Sequence, residues 1–280
     1  QGHESVVRLL LDRGANIDVV TNTASTPLHI AVQNGHESVV RLLLERGASI
    51  DAPAVVDATP LHNAAQQGRE SVVRLLLERG ANIEALTSGR ATPLYLAAQE
   101  GHESVVRLLL DRGANIEAKF TTGAMPLHIA SQGGHEAVVR LLLDRGANIH
   151  STTAMKATPL VLAAQQGHEA VVRLLLDRGA NIEAAITDKA TSLHLATFKG
   201  NQAVVRLLLD RGANSHATTY NNTTPLMLAA QQGHEPLVRL LLDRGAAIDV
   251  AQPKHGTALH HASRHGHLEC IELLIDCGAD

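Results

Sequence analysis

A chain of 280 residues that is 45% hydrophobic and 19% charged can bury a core, which excludes a disordered tail or a linker. Only 1% is aromatic (two Tyr, two Phe, no Trp), so that core must be built from Leu, Val, Ile and Ala. A formal net charge of −4 argues against a nucleic-acid binder, which needs a basic face to displace counterions.

From the first residues onward the chain repeats itself. Residues 1–18 read as a helix, Glu4 onward, closed by Gly14. A tetrad of the Thr-Pro-Leu-His type then begins at Thr26, Thr59, Thr92, Met125, Thr158, Thr191, Thr224 and Thr257, every interval being 33 residues. In each copy the Thr can cap a short helix, and Pro follows at its first position, where a missing N–H costs nothing. That helix carries apolar residues such as Leu28, Ala31 and Val32 and stops at Gly35. A second helix starts near Glu37, ends at Gly47, and is copied almost unchanged. Its residues Val39, Val40, Leu42, Leu43 and Leu44 make an apolar stripe too wide for one buried face, which suits packing against its own partner and both neighbouring copies. Glu37, Arg41 and Glu45 form the remaining polar stripe, with Glu before Arg, the better order. No copy can bury its apolar face alone, so the copies must stack. Leu109 and Leu142 are core positions in this register.

The period of 33, the tetrads at 26–29, 59–62 and 125–128, the Gly-His pair and the Leu-Leu-Leu-x-x-Gly-Ala run resemble the ankyrin-repeat family over the whole chain. The resemblance implies an all-α ankyrin-repeat solenoid in which helix pairs stack and loops project as fingers. The expected organisation is one domain over 1–280: a partial N-terminal repeat at 1–18, seven internal repeats over 19–254 and an end repeat at 255–280. The near-identity of the copies is more distantly similar to the arrays that end large fungal intracellular immune-type receptors. An engineered or consensus-derived scaffold, or a spacer array without a tight ligand, is the alternative. The chain begins at Gln1 within a repeat, which reads as a piece of something longer, and it shows no signal peptide.

Ankyrin fingers usually carry Asp and, three residues on, Gly. Here the Gly place holds Ala24, Asp57, Arg90, Gly123, Lys156, Lys189, Asn222 and His255, so only Gly123 fits and the turn shape stays open.

Differences among the copies collect in the fingers, in the fourth tetrad residue and in the two residues before the Gly. The resemblance places these on one concave surface, where a protein partner would bind. All four aromatics lie there: Phe120 and Tyr220 on fingers, Tyr95 and Phe198 on first helices. Aromatics and Met concentrate at protein interfaces. The candidate partner-binding residues are therefore Phe120, Tyr220, Phe198 and Met155, followed by Tyr95, Leu86, Ile186, Val55, Val56 and Arg90. Phe120 is read as an isolated finger residue, with Tyr95, Val161 and Met227 partly buried at the place of the tetrad His.

Seventeen His raise a metal question. Twelve are repeat residues, whose copies stand about 10 Å apart and so cannot share an ion. The resemblance assigns them hydrogen bonds to finger and turn backbones. His261 and His265 have i, i+4 spacing but no Glu between them, so the zinc-protease pattern fails. No phosphate loop, nucleophile elbow or reactive Cys–His arrangement appears, and scaffold copies do not make a unique catalytic constellation. The expectation is no catalysis, no cofactor and no metal. Cys270 and Cys277 give no disulfide framework and read as small packing residues in a reducing compartment. A monomer in the cytoplasm, with a protein partner and neither nucleic acid nor membrane, completes the reading.

Overall fold

The computed structural model describes residues 2–280. They form an all-α repeat solenoid of 17 α-helices, with one short 3-10 turn at Val55–Asp57. Two compact units are distinguished: residues up to 130 with 137–147, and residues 131–136 with 148–280.

In the first unit a lone helix, Glu4–Asp12, precedes the pairs Pro27–Gln33 with Glu37–Glu45, Pro60–Gln66 with Glu70–Glu78, and Pro93–Gln99 with Glu103–Asp111. The helix Glu136–Asp144 lies almost wholly in this unit. The second unit holds Pro159–Gln166 with Glu169–Asp177, Ser192–Phe198 with Gln202–Asp210, Pro225–Gln232 with Glu235–Asp243, and Ala258–His265 with Leu268–Asp276.

The short helices start as their sequence dictates. At Thr26 the hydroxyl accepts from the His29 backbone N–H, and the His29 ring takes the Thr26 N–H in return, a reciprocal capping box. Thr59 with His62, Thr191 with His194 and Thr257 with His260 repeat it. Second helices such as Glu103–Asp111 and Leu268–Asp276 have no side-chain cap. Instead the residue before several of them reaches back one repeat: His102 Nε2 is 2.9 Å from the Gln66 carbonyl, His267 Nε2 is 3.0 Å from that of Gln231, and Asn201 Nδ2 donates to that of Gln165 at 3.0 Å. The His ring lies flat on the preceding glycine. A Cβ on Gly68 would stand 2.6 Å from His102 Nδ1, and φ there is +68°, so the ring leaves no room for a side chain and the left-handed backbone favours glycine.

The core is aliphatic, as the composition required. Val105, Val106, Leu109, Val138, Val139 and Leu142 are fully buried, which fixes the register. Leu44 and its equivalents are half-buried, so the wide stripe is covered on three sides. The Glu37–Arg41 pair forms within its helix, at 3.3 Å. Glu45 does not join it; it faces Arg79 of the next repeat at 3.7 Å, because the longer Arg at the helix end reaches across the repeat spacing. Asp12–Arg46 and Asp177–Arg211, both 2.7 Å, are the same bridge in other copies. Such exposed pairs each contribute at most about 1 kcal/mol.

A second set of links runs through the loops. Asp18 accepts from the Ser49 N–H at 3.0 Å, Glu84 from Asn115 at 2.7 Å, and Glu183 from Asn214 at 2.8 Å. Each is a carboxylate closing a backbone donor one repeat on.

Both ends carry apolar side chains without cover. Val6, Leu9 and Leu10 are 52–54% exposed, whereas Val39, Leu42 and Leu43 in the next copy are at most 6% exposed. At the other end, the expected polar finish is incomplete: Leu268 and Ile275 are exposed. Cys270 is buried as expected. Cys277 is exposed, because it falls at the helix C-cap and not on the buried stripe.

Candidate protein-binding surface

The first seven fingers share one hydrogen-bonding pattern. The first residue's N–H bonds to the carbonyl four residues on, and the fourth residue's N–H bonds back to the first carbonyl, as in Thr153–Ala157 and Lys156–Thr153. That closure requires a left-handed fourth residue. Ala24, Asp57, Arg90, Gly123, Lys156, Lys189 and Asn222 all adopt it, with φ between +54° and +76°. The turn shape left open by the sequence is thus one recurrent turn, held by non-glycine residues at each of these places but Gly123. At the last copy the left-handed residue is Gly256, one place later, and Gln252 and Gly256 exchange both backbone bonds.

Neighbouring finger tips are joined. Ser88 N–H donates to the Val56 carbonyl and Thr121 N–H to that of Gly89 in the first unit. In the second, Thr187 N–H donates to Met155 and Tyr220 N–H to Asp188. Within each unit these three successive fingers therefore form a ladder and not a set of independent loops.

On this ladder the sequence candidates separate. Val55, Val56, Leu86, Met155, Phe198 and Tyr220 are exposed, with Met155 at 62% and Tyr220 at 67%. Arg90 is exposed and Ile186 half-buried. Tyr95 is buried at 6%, more than expected, as are Val161 and Met227. Burial raises the Tyr95 phenol pKa above its ordinary value.

Phe120 is the main correction. It is not isolated: its ring stacks on Tyr95 at 5.0 Å and 12°, against Ala91 and Ala124 and over Gly89. The cause is the residue at 95. In other copies the tetrad His spans to the next turn, His62 Nε2 to the Ala91 carbonyl at 3.0 Å and His194 Nε2 to Thr223 at 3.1 Å. Tyr95 presents a flat apolar ring instead, and the next finger's Phe covers it. Phe120→Ala is therefore expected to lower unfolding free energy by ~1–3 kcal/mol. An unchanged thermal melt would mean the stack contributes nothing.

The tetrad His set a pH dependence. His29, His62 and His194 accept a Thr N–H at Nδ1 and face a carbonyl with Nε2, which requires the neutral ring. Burial, the largest cause, holds their pKa values below the ordinary 6.5; the carbonyl bonds oppose it, as do Asp51 at His62 and Asp188 and Glu183 at His194. The unfolded chain thus binds more protons as pH falls below 6.5. The contribution is complete above that value and drains as pH drops toward the folded values. Melting temperature should fall from pH 7 to pH 5. A flat profile would contradict this.

The fingers Thr219–Thr223 and Gln252–Gly256 enclose a cleft of about 340 Å³, lined by Tyr220, Asn221, Asn222, Pro253, Lys254 and His255 with Thr223 and Gln252. Its floor is fixed: Gln252 is 8% exposed, donates to Thr223 Oγ1 at 2.6 Å and faces His261 Nε2 at 2.9 Å. Lys189 Nζ lies 4.8 Å from the Tyr220 ring centroid, a cation–π contact. The sequence reading named Tyr220 and missed this cleft and the lysine; Pro253 on a finger was the available signal. His265 Nδ1 pairs with the His261 carbonyl, so these two rings do not converge on one point.

A capped short helix, a turn closed by glycine, a constant second helix and a projecting finger, repeated every 33 residues, define a helical repeat protein. The chain belongs to the ankyrin-repeat family: the family model described as ankyrin repeats (3 copies) matches residues 1–54, 51–120, 86–153, 127–219 and 193–280. No curated protein matches it. Ankyrin repeats generally mediate protein–protein interactions, and proteins built from them are typically non-enzymatic scaffolds. No helix among the described residues is long and apolar enough to cross a membrane.

Proposed function

We propose that residues 1–280 act as one recognition array, a cytoplasmic monomer that binds a protein partner on the surface made by its fingers and first helices. One observation carries this reading. In the constant second helices that have a repeat on either side, the Val and Leu stripe is buried, as at Val105, Val106, Leu108 and Leu109. Where the copies vary, Met155, Tyr220 and Phe198 are left 62%, 67% and 40% exposed. A finger gains little stability from such residues, so their burial must come from a partner. In the first unit Val55, Val56, Leu86 and Arg90 are the corresponding exposed finger residues. Tyr95 and Phe120 support that surface from beneath and do not contact the partner through Tyr95.

The test is comparative capture with the full chain as bait. Tyr220→Ala with Met155→Ala should weaken the recovered partner by ~1–3 kcal/mol per anchor. Arg74→Ala, on a second helix, should leave it unchanged. A partner held equally by all three proteins, or none that survives a competition with free chain, would favour the spacer role.

A further inference from the structure

The basic residues of this chain are sorted by type. All five lysines (Lys119, Lys156, Lys189, Lys199 and Lys254) lie on fingers or at the ends of first helices. The arginines sit mostly on second helices, where they pair with carboxylates, as Arg173 does with Glu169 and Arg244 with Asp210. Among the described residues no lysine makes an ion pair, and all five are exposed.

The sorting is also uneven along the chain. On the variable positions of the first unit, Arg90 and Lys119 balance Asp57 and Glu100. On those of the second, Lys156, Lys189, Lys199, Lys254 and Arg264 face a single anion, Asp188. That carboxylate is already used: its Oδ1 accepts the Ala190 N–H at 2.9 Å within its own turn. A chain with a net charge of −4 thus carries a local excess of four positive charges on one varied surface. The same surface holds Met155, Phe198, Tyr220 and the Tyr220–Pro253 cleft.

Unpaired exposed cations around apolar anchors fit an anionic partner with hydrophobic side chains. We propose that this face of the second unit binds an acidic, extended segment of a protein partner. Carboxylates would lie against Lys156, Lys189 and Lys254, and one large apolar side chain would enter the cleft beside Tyr220. The ladder bonds Met155–Thr187 and Asp188–Tyr220 hold successive turns side by side. With repeats ~10 Å apart and ~3.3 Å per extended residue, the carboxylates facing Lys156 and Lys189 should stand about three positions apart and those facing Lys189 and Lys254 about six, because Asn222 occupies the place between. Nucleic acid is disfavoured: a mixed, partly apolar surface on an acidic chain offers few phosphate contacts. The inference rests on the recognition reading above and names the chemistry of its partner.

The probe is a displayed library of random dodecapeptides panned against the full chain. Selected peptides are then made synthetically and titrated in 50 and 300 mM salt, with a twenty-nucleotide oligothymidine alongside. The expected peptides are acidic with an aromatic or large aliphatic residue. They should lose affinity at least tenfold in 300 mM salt and at least tenfold against K156E/K189E/K254E. R74E/R107E/R173E, on second helices and with the same change in net charge, should bind them normally; circular dichroism melts confirm that both variants are folded. Neutral or basic peptides that still depend on Tyr220 would overturn the acidic partner and leave recognition standing. Acidic peptides indifferent to K156E/K189E/K254E would overturn the proposal, as would oligothymidine bound as tightly as the peptides and lost in that variant. No selected peptide at all, or none sensitive to Tyr220→Ala, would overturn both readings.

Discussion

Replacing Leu109 by Ala should lower unfolding free energy by ~2–5 kcal/mol. The side chain is fully buried in a second helix between its own first helix and neighbouring repeats. The surrounding residues are Val and Leu held by two rows of inter-repeat bonds, so collapse into the void is restricted and the upper part of the range applies. Leu142→Ala should behave alike. Leu10, the equivalent of Leu43 in the first copy, is 54% exposed, and Leu10→Ala should cost under 1 kcal/mol. Chemical denaturation of the three variants checks the contrast. Equal losses at 10 and 109 would invalidate the packing described here. Amide exchange should likewise be fastest in the lone helix Glu4–Asp12, which has no buried residue.

The second large effect goes the other way. Ala24, Val56 and Arg90 have φ values of +54°, +55° and +64°, a left-handed backbone that crowds Cβ against the following carbonyl. Val56 is the most strained, being β-branched, and with 61% exposure its side chain returns little by burial. Glycine removes the clash, at some cost in the entropy of the unfolded chain. Each substitution to Gly should stabilise by about 1 kcal/mol, and all three together by roughly 3 kcal/mol if they add. Denaturant midpoints measure this; a destabilised triple variant would mean the side chains hold the turns. Strain of this kind is often retained where a surface serves binding.

The helices were legible because their signals are local. Thr at the cap, Pro behind it and Gly at the stop act within a few residues, so helix bounds such as Pro27–Gln33 follow from sequence. The finger turns were not, because their shape is imposed from outside. Arg90 and Lys156 have no preference for a left-handed backbone; the closing bonds to Thr87 and Thr153 hold them there. The Phe120 stack was missed for a related reason. Its partner Tyr95 is 25 residues away, and the pairing makes sense only once the His62–Ala91 bond shows what Tyr95 has replaced. Departures from the repeat also carry costs that sequence does not display. Ser192, in place of Pro, and Thr197, in place of Ala, are fully buried, and neither hydroxyl finds a partner. The lysine sorting, by contrast, is readable from the sequence alone and needs only the separation of Lys from Arg.

The links between copies also bear on how such a chain can change its length. Asp18 to Ser49, Asp12 to Arg46 and His102 to Gln66 each join a position to one in the adjacent copy at a fixed offset. Unequal exchange that removes or duplicates 33 residues restores these offsets at the new seam, except where it parts a copy-specific pair such as Tyr95 and Phe120. Elsewhere the shared links re-form, so the count of units can drift while the stack is kept. Each exchange also inserts or deletes one finger, shifting every later anchor by one rung relative to a bound ligand. The reach of the surface and the spacing of its contacts can thus be altered in a single genetic event, while point substitutions tune the chemistry of each rung.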